Sequence, residues 1–211
     1  MDIVRITTPA DIAAAAQKTA EVLKNGGVIL YPTDTIYGLG ADALSDEAVD
    51  KIYAVKNRKE GKFIRALVDS FETLKHYAEI DPLLEKGVRS LIPGPTTFIF
   101  KKKLGFDTGT LRDIETFGAR VPDNTFCLEL TKQYGRPITA TSANKSGLEP
   151  EHSVEKILEQ LGLEAEIIDL VIDAGVLPPS LPSTVVDLTS SEPKILREGA
   201  VSAEKIQEIF G

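Results

Sequence analysis

The sequence predicts a single mixed α/β domain over residues 1–211, built on a twisted sheet that is flanked by helices. Short apolar segments alternate with segments of helical periodicity along the whole chain, which is the pattern of domains with a sheet and covering helices. A chain of 211 residues has the length of one generous domain. No internal repeat or low-complexity linker divides it, so we expect one hydrophobic core.

Helix starts and apolar periodicity predict the elements of the first half. Thr8 and Pro9 are suited to the N-cap and the first helical position, and Ser45 is suited to cap a helix with one apolar stripe. Val28 to Tyr31 is short and apolar and is followed by Pro32, as expected of a buried strand. In order, we predict helix 9–24, strand 28–31, a helix from 45, strand 63–68, helices from 69 and 81, and strand 96–100.

The second half follows the same rules. Asn124 is a good N-cap, and Ser202 opens the closing helix. The predicted elements are strand 118–121, helix 124–134, strand 138–141, helix 154–161, strands at 167–172, 184–188 and 194–196, and helix 202–210. The order of the strands in the sheet is not readable from this pattern.

Composition excludes several classes of protein. The chain has 24 Lys and Arg against 32 Asp and Glu, a net charge of −8, which argues against a broad nucleic-acid surface but leaves room for a local basic cleft. One cysteine and two histidines exclude a disulfide framework and a Cys-rich zinc site. No apolar run approaches the roughly 20 residues of a membrane span, and the N-terminus lacks an export signal. We therefore expect a cytoplasmic protein.

Polar segments follow several predicted strands, where α/β folds place ligands. The first is Tyr31–Gly40, YPTDTIYGLG, in which short hydroxyl and carboxylate side chains stand between prolines and glycines. A capped turn accounts for this composition at least as well as a site does. The last is Thr139–Gly147, whose hydroxyl groups, Asn144 and backbone N–H groups are suited to an anion.

A basic segment lies between these two. Lys56, Arg58, Lys59, Lys62 and Arg65 place five positive side chains in ten positions. Fixed cations suit a polyphosphate, although a solvated basic face or complementation of a helix dipole explains them equally well. Neither common phosphate-binding glycine motif is present.

Arg120 lies within an apolar strand-like stretch, Gly118–Pro122. A buried cation is costly unless it is paired, so its partner is either an internal carboxylate, such as Asp34 or Asp123, or a ligand. Cys127 is surrounded by apolar residues and is expected to be a core side chain. Asp34 and Asp42 are conceivable Mg²⁺ ligands, but turn and cap roles are commoner for single aspartates.

Taken together, these segments resemble the YrdC-like family of L-threonylcarbamoyladenylate synthases, and the resemblance covers nearly the whole chain. It rests on motifs in a fixed order. They are YPTDTIYGLG, Lys56-x-Arg58, Pro93-Gly94-Pro95-x-Thr97, Arg120-Val121-Pro122, Thr141-Ser142-Ala143-Asn144-x-Ser146-Gly147, Pro182-Ser183-Thr184 and Leu196-Arg197-x-Gly199.

The resemblance implies a deep basic cavity and a nucleotidyltransferase. The reaction joins L-threonine, bicarbonate or CO₂, and ATP, with Mg²⁺, into threonylcarbamoyl-AMP and pyrophosphate for tRNA modification. The threonine site carried over is Thr35, Arg120, Ala140 and Ser183. The ATP site carried over is Lys56, Arg58, Lys62, Thr116, Ser142, Asn144 and Arg197, and Lys56 and Arg58 are the expected catalytic residues. Metal ligands are not indicated.

Departures from the family pattern leave other functions open. The segment Lys56-Asn57-Arg58-Lys59 and Lys62-Phe63 lacks two prolines usual in the family, and Leu67 stands where some members carry a histidine. A non-catalytic relative that binds tRNA or double-stranded RNA is the main alternative. A carbamoyl-phosphate-using domain is a weaker one. Protein partners in tRNA modification are implied but not identified.

Overall fold

A mixed sheet with helices on its faces is seen in a computed structural model that describes residues 1–57 and 63–211. The strands of these residues are β1 (Asp2–Arg5), β2 (Ile29–Tyr31), β3 (Gly38–Gly40), β4 (Arg65–Leu67), β5 (Ala78–Glu79), β6 (Thr96–Lys102), β7 (Thr116–Arg120), β8 (Ile138–Ser142), β9 (Leu170–Asp173), β10 (Thr184–Asp187) and β11 (Lys194–Arg197). The helices are α1 (Asp11–Lys24), α2 (Asp46–Val55), α3 (Phe71–Tyr77), α4 (Pro82–Ser90), α5 (Thr125–Tyr134), α6 (Val154–Leu161) and α7 (Ala203–Phe210). The predicted fold class is confirmed.

The strand order is β1-β9-β2-β3-β8-β4-β7-β6-β10-β11, with β5 paired to β6. Strand β9 is parallel to both β1 and β2, and β4 is parallel to β7. Strand β8 is antiparallel to both β3 and β4 and joins the two halves of the sheet. Residues distant in sequence are therefore brought together at the centre of the sheet.

The core lies on both faces of this sheet. Alternate residues of β2 point to opposite faces, so Leu30 joins the cluster under α2 and α6 and Ile29 joins the cluster under α1 and α5. A third cluster packs α3, α4 and α7 against the other half of the sheet. Within residues 1–57 and 63–211, the helices all fall short of the length and apolar content that crossing a bilayer requires.

Side-chain caps confirm most of the predicted helix starts. Ser45 accepts a hydrogen bond from the backbone N–H of Ala48, and Asn124 accepts one from that of Cys127. The predicted start of α1 is wrong by two residues. The helix begins at Asp11, whose carboxylate accepts the N–H groups of Thr7 and Thr8, so the acidic side chain fixes the turn that Thr8 was expected to cap.

Three strands were not predicted, namely β1, β3 and the two-residue β5. Strand β1 is charged and lies at the edge of the sheet, where polar side chains are normal. The sequence of strand β3 is typical of a glycine turn. Its glycines are nevertheless required because the side chain of Tyr31 packs against them. A Cβ on Gly40 would lie 2.7 Å from Ile29 Cγ1 and 2.8 Å from Tyr31 Cε1, and one on Gly38 would lie 3.1 Å from Tyr31 Cζ. These glycines therefore mark close strand packing.

The strand predicted at 167–172 is shifted along the chain. Ile167 ends a 3₁₀ turn, Gly162–Ile167, and β9 begins only at Leu170. An apolar run alone does not distinguish a buried turn from a buried strand.

Candidate functional site

A cavity of about 340 Å³ opens where the β2–β3 connection meets the ends of β4, β7 and β8 and the start of β10. This volume lies within the range of small-molecule sites. The described lining residues include hydroxyl, amide and guanidinium side chains and no carboxylate. They are Tyr31, Thr33, Thr35, Ile36, Tyr37, Gly38, Arg65, Leu67, Thr97, Arg120, Ala140, Thr141, Ser142, Asn144, Pro150, Pro182, Ser183 and Arg197.

The β2–β3 connection is held by the hydroxyl of Thr33. Its Oγ1 accepts the backbone N–H groups of Thr35 at 3.1 Å and Ile36 at 3.2 Å, and it donates to the carbonyl of Ile36 at 2.7 Å. These bonds hold Thr35, which is buried, at the wall of the cavity. The segment for which the sequence left a turn and a site as alternatives forms a turn that also lines the cavity.

Arg120, the last residue of β7, is a buried cation with an internal partner. Its side chain is 7% exposed, and Nη2 is ion-paired with Asp34 Oδ1, whose side chain is 10% exposed. Nη1 donates to Thr35 Oγ1 at 3.3 Å. Nε is buried and has no hydrogen-bond partner among the described residues. The partner question that the sequence left open is thus answered in part: Asp34 pairs with the guanidinium, while Arg120 still lines the cavity.

The cavity is electrostatically positive. Arg65, Arg120 and Arg197 line it, and its described lining includes no carboxylate, although Asp34, outside that lining, offsets the charge of Arg120. Burial lowers the pKa of Arg120, and nearby Arg197 lowers it further. Burial also lowers the pKa of Arg197. Guanidinium groups nevertheless stay charged in proteins, so the site is suited to anions.

The loop after β8 is fastened to the end of α2 by Lys56. This lysine is buried, and its ammonium donates to the carbonyl of Ser142, to the carbonyl of Asn144 at 2.9 Å and to Asn144 Oδ1 at 3.0 Å. Its own carbonyl accepts the N–H of Ser146 at 2.9 Å. The side chain of Ser142 donates to Asn144 Oδ1. Lys56 therefore orders the loop that presents Ser142 and Asn144 to the cavity.

The opposite wall is built on Ser183, immediately before β10. Its hydroxyl is 2.8 Å from that of Thr97 on β6. Arg197 Nη2 on β11 donates to the Ser183 carbonyl at 2.7 Å. Since β6 and β10 are parallel neighbours, with Thr97 opposite Val185, the sheet register itself brings these groups together.

The structure brings most of the predicted site residues to this one cavity. Those that line it are Thr35, Arg120, Ala140, Ser142, Asn144, Ser183 and Arg197. Lys56 stands behind the wall, bonded to the loop. Arg58 and Lys62 lie outside the described residues. Thr116 is the first residue of β7 and pairs with Lys101, about 13 Å along the strand from Arg120, and it does not line the cavity.

The sequence did not single out Thr33. It indicated Asp34 only as one of two candidate partners of Arg120, and Thr97 only as part of a motif. Each of them supports a side chain that lines the cavity. Short polar residues beside Pro and Gly are the usual signal of a turn, so nothing in the local pattern distinguishes these supporting roles.

We next consider the side chains that could bind a metal ion or act as a thiol nucleophile. Residues 1–57 and 63–211 contain no cluster of three His, Cys, Asp or Glu side chains with a metal-binding arrangement. Cys127 is fully buried, and burial raises the pKa of its thiol from 9.0 to about 12. Its Sγ donates to the Pro32 carbonyl at 3.2 Å, so it is a core residue, as predicted.

Comparison with known proteins identifies relatives of this chain in both sequence and structure. The model of the Sua5/YciO/YrdC family, described as "Telomere recombination", matches residues 21–199. A Methanocaldococcus jannaschii protein, provisionally named a threonylcarbamoyl-AMP synthase, is 34% identical over 194 residues, which is 90% of each chain. The structure of P. abyssi Sua5 complexed with L-threonine matches with a TM-score of 0.88 at 31% identity. The match covers 100% of this chain and 60% of the P. abyssi chain.

The chain thus spans about three fifths of the P. abyssi protein. E. coli YciO matches over nearly the full length of both chains, 97% of this one and 98% of the other, with a TM-score of 0.82 and 27% identity. The chain belongs to the Sua5/YciO/YrdC family.

Proposed function

We propose that the protein is an L-threonylcarbamoyl-AMP synthase, a nucleotidyltransferase. The amine of L-threonine combines with bicarbonate to give threonine carbamate and water. A carbamate oxygen then attacks the α-phosphorus of ATP, the bond to the bridging oxygen breaks, and pyrophosphate leaves. The product is the mixed anhydride threonylcarbamoyl-AMP. It is chemically suited to transfer the threonylcarbamoyl group to a tRNA nucleoside, in the compartment where ATP and tRNA meet, the cytoplasm.

The observation that carries the proposal is the buried guanidinium of Arg120 at a cavity whose described lining is hydroxyl-rich and free of acids. Such a group recognises a carboxylate through paired N–H donors. The name of the M. jannaschii relative and the threonine complex of P. abyssi Sua5 support L-threonine as the source of that carboxylate.

In this proposal the amino-acid subsite lies between the β2–β3 connection and the start of β10. Arg120 binds the threonine carboxylate, and Thr35 and Ser183 hydrogen-bond the rest of the amino acid. Ala140, on β8, leaves room for it at the wall. The hydroxyl of Ser183 is kept in place by Thr97, which favours one orientation of the substrate.

The nucleotide lies towards the Ser142–Asn144 loop and Arg197. Arg197 is exposed to solvent and lines the cavity, so its charge is available to a phosphate. Lys56 acts by ordering the loop, and its fixed charge adds to the positive potential. Arg58 and Lys62 are proposed phosphate contacts on the strength of their motif alone. Thr116 is not part of the proposal, because it does not line the cavity.

Catalysis in such a site comes from position and charge. No described lining side chain is an activated nucleophile, so the carbamate itself is the attacking group. Fixing two reactants side by side removes much of the entropic barrier, and guanidinium groups stabilise charge that develops as pyrophosphate leaves. Mg²⁺, when bound with the nucleotide, would neutralise phosphate charge; the described residues offer no cluster of three acidic, histidine or cysteine side chains to hold it.

The test is pyrophosphate release by the pure full-length chain with ATP and Mg²⁺. We expect release that depends on both L-threonine and bicarbonate, and a product with the mass of threonylcarbamoyl-AMP. L-Serine, which lacks the γ-methyl group, is the matched control substrate and should support less turnover.

Two results would contradict the proposal. One is pyrophosphate release that ignores threonine. The other is the absence of release together with the absence of threonine binding by calorimetry. Salt-dependent binding of double-stranded RNA by protein that forms no product would favour the RNA-binding alternative instead.

A further inference from the structure

Asp34 stands behind the arginine of the proposed amino-acid subsite. Arg120 and Thr35 line the cavity, whereas Asp34 does not, although its Oδ1 is ion-paired with Arg120 Nη2. Asp34 Oδ2 accepts the backbone N–H of Asp123 at 3.2 Å. The carboxylate therefore contacts the guanidinium from outside the cavity, and it ties the β2–β3 connection to the end of β7.

The guanidinium has enough donors to serve Asp34 and a ligand at once. Arginine carries five N–H donors in a rigid plane. The described contacts use one on Nη2, for Asp34, and one on Nη1, for Thr35. Nε is buried and unpartnered among the described residues, although a buried polar group normally has a partner. An incoming carboxylate can thus bind free N–H groups without displacing Asp34.

We infer that Asp34 is a positioning residue: it holds Arg120 in the orientation that binds the threonine carboxylate. This inference rests on the proposed function, since it concerns the same amino acid. Burial and the neighbouring Arg197 both disfavour the charge on Arg120, as the lowered pKa of Arg120 reflects. Without a fixed acceptor, the guanidinium would turn towards solvent or another oxygen, and its alignment with the ligand would be lost.

Asp34 could have the opposite effect, that of weakening threonine binding, and the experiment must distinguish the two. A carboxylate close to Arg120 also repels the carboxylate of a ligand. If Asp34 were chiefly a competitor for the guanidinium, its removal would tighten threonine binding. If it is a positioning residue, its removal weakens binding, and a neutral side chain that keeps the accepting oxygen restores it.

The experiment measures L-threonine, L-threonine amide and ATP by calorimetry with the full chain and its variants. In Asp34→Ala we expect threonine affinity to fall about tenfold or more, the loss of roughly one charge-assisted hydrogen bond. Threonine amide, which lacks the carboxylate, and ATP should change little. Asp34→Asn keeps an oxygen for Nη2 and should recover most of the threonine affinity. Asp123→Asn is the matched control, because Asp123 bonds to Asp34 through its backbone N–H, which the substitution keeps.

The possible failures are distinct. If the unaltered protein does not bind threonine, both the proposed function and this inference are overturned. If it binds threonine and Asp34→Ala binds it equally or more tightly, only the inference is overturned. Equal losses for threonine, its amide and ATP would indicate a merely structural residue and would also overturn it. If Asp34→Ala does not fold, Asp34→Glu replaces it in the test. This variant keeps the charge but displaces the carboxylate oxygens by one methylene. The inference then requires that it lower the ratio of the affinity for threonine to the affinity for threonine amide.

Discussion

Arg120 is a residue whose burial is energetically costly and whose side chain is proposed to bind the substrate. It is a buried cation whose internal partner, Asp34, satisfies only part of its donor set. Arg120→Ala should weaken L-threonine binding by roughly 10- to 150-fold, since a hydrogen bond to a charged group contributes about 1.5–3 kcal/mol. ATP binding should remain measurable, because its proposed contacts lie at the Ser142–Asn144 loop and Arg197. Calorimetry with each ligand checks this, and unchanged threonine affinity would contradict the assignment of the subsite.

Cys127 gives a pH prediction with a definite sign. Burial raises the pKa of its thiol from 9.0 to about 12, so about one part in 10,000 is thiolate near pH 8. Iodoacetamide should therefore label the native protein very slowly and the urea-unfolded protein readily. The raised pKa also means that this thiol supports folding fully below about pH 9 and progressively less as the pH rises towards 12.

A conservative variant isolates that effect. Thermal unfolding of Cys127→Ala should show a constant stability difference from the parent below pH 9, and a smaller difference as the pH rises further. Rapid labelling of folded protein at pH 8 would contradict the burial of this side chain.

At the scale of elements, the β2–β3 hairpin depends on glycine. A Cβ on Gly40 would overlap Ile29 and Tyr31, at 2.7 and 2.8 Å, whereas one on Gly38 would meet only the Tyr31 ring, with its nearest atom at 3.1 Å. Gly40→Ala should cost about 1–3 kcal/mol of unfolding free energy, as overpacking usually does, and Gly38→Ala should cost less. Urea unfolding measures both, and equal, negligible costs would show that the tyrosine ring moves aside.

The contact between α2 and the loop after β8 depends on Lys56. Removing its ammonium takes one donor from each of two carbonyl oxygens and from Asn144 Oδ1, although Asn144 Oδ1 still accepts the hydroxyl of Ser142. Lys56→Met should lower the free energy of unfolding by about 1–3 kcal/mol and weaken ATP more than threonine. Lys156→Met, on exposed α6 surface, is the matched control and should leave both unchanged. A fully stable Lys56→Met that binds ATP normally would mean that the loop holds its shape unaided.

These elements also show what the sequence can and cannot predict. Caps such as Ser45 and Asn124 are local signals, so their helices were predicted correctly. Strand β3 was missed because its glycines are explained only by Tyr31 across the hairpin. The internal partner of Arg120 could be named as one of two candidates, but the choice of Asp34 over Asp123 depends on β-sheet geometry that joins residues 86 positions apart.

On the scale of the whole molecule, the site forms only when both halves of the sheet are in place. The contacts Arg120–Asp34, Lys56–Asn144 and Thr97–Ser183 span 86, 88 and 86 positions of sequence. Each joins strands or loops that meet only in the completed order of the sheet. Local propensity therefore predicts the elements, whereas the cavity is a property of the topology.

The distribution of charge over the whole molecule predicts how ATP binding depends on salt. The chain carries a net charge of −8, yet three guanidinium groups line the cavity and its described lining has no acid. An anionic nucleotide is thus attracted by a local field inside an acidic protein. Raising NaCl from 50 to 500 mM should weaken ATP binding, but by less than about tenfold, because salt screens partly buried charges less than exposed ones.

Adenosine is the matched probe for this test, since it lacks the phosphates. Its affinity should change little over the same range, so that the ratio of ATP to adenosine affinity falls as salt rises. A ratio that stays constant would mean that the phosphates lie outside the basic cavity. A fall of several orders of magnitude would instead resemble the release of many counterions from a polyanion such as RNA, and it would place the binding surface on cations outside the cavity.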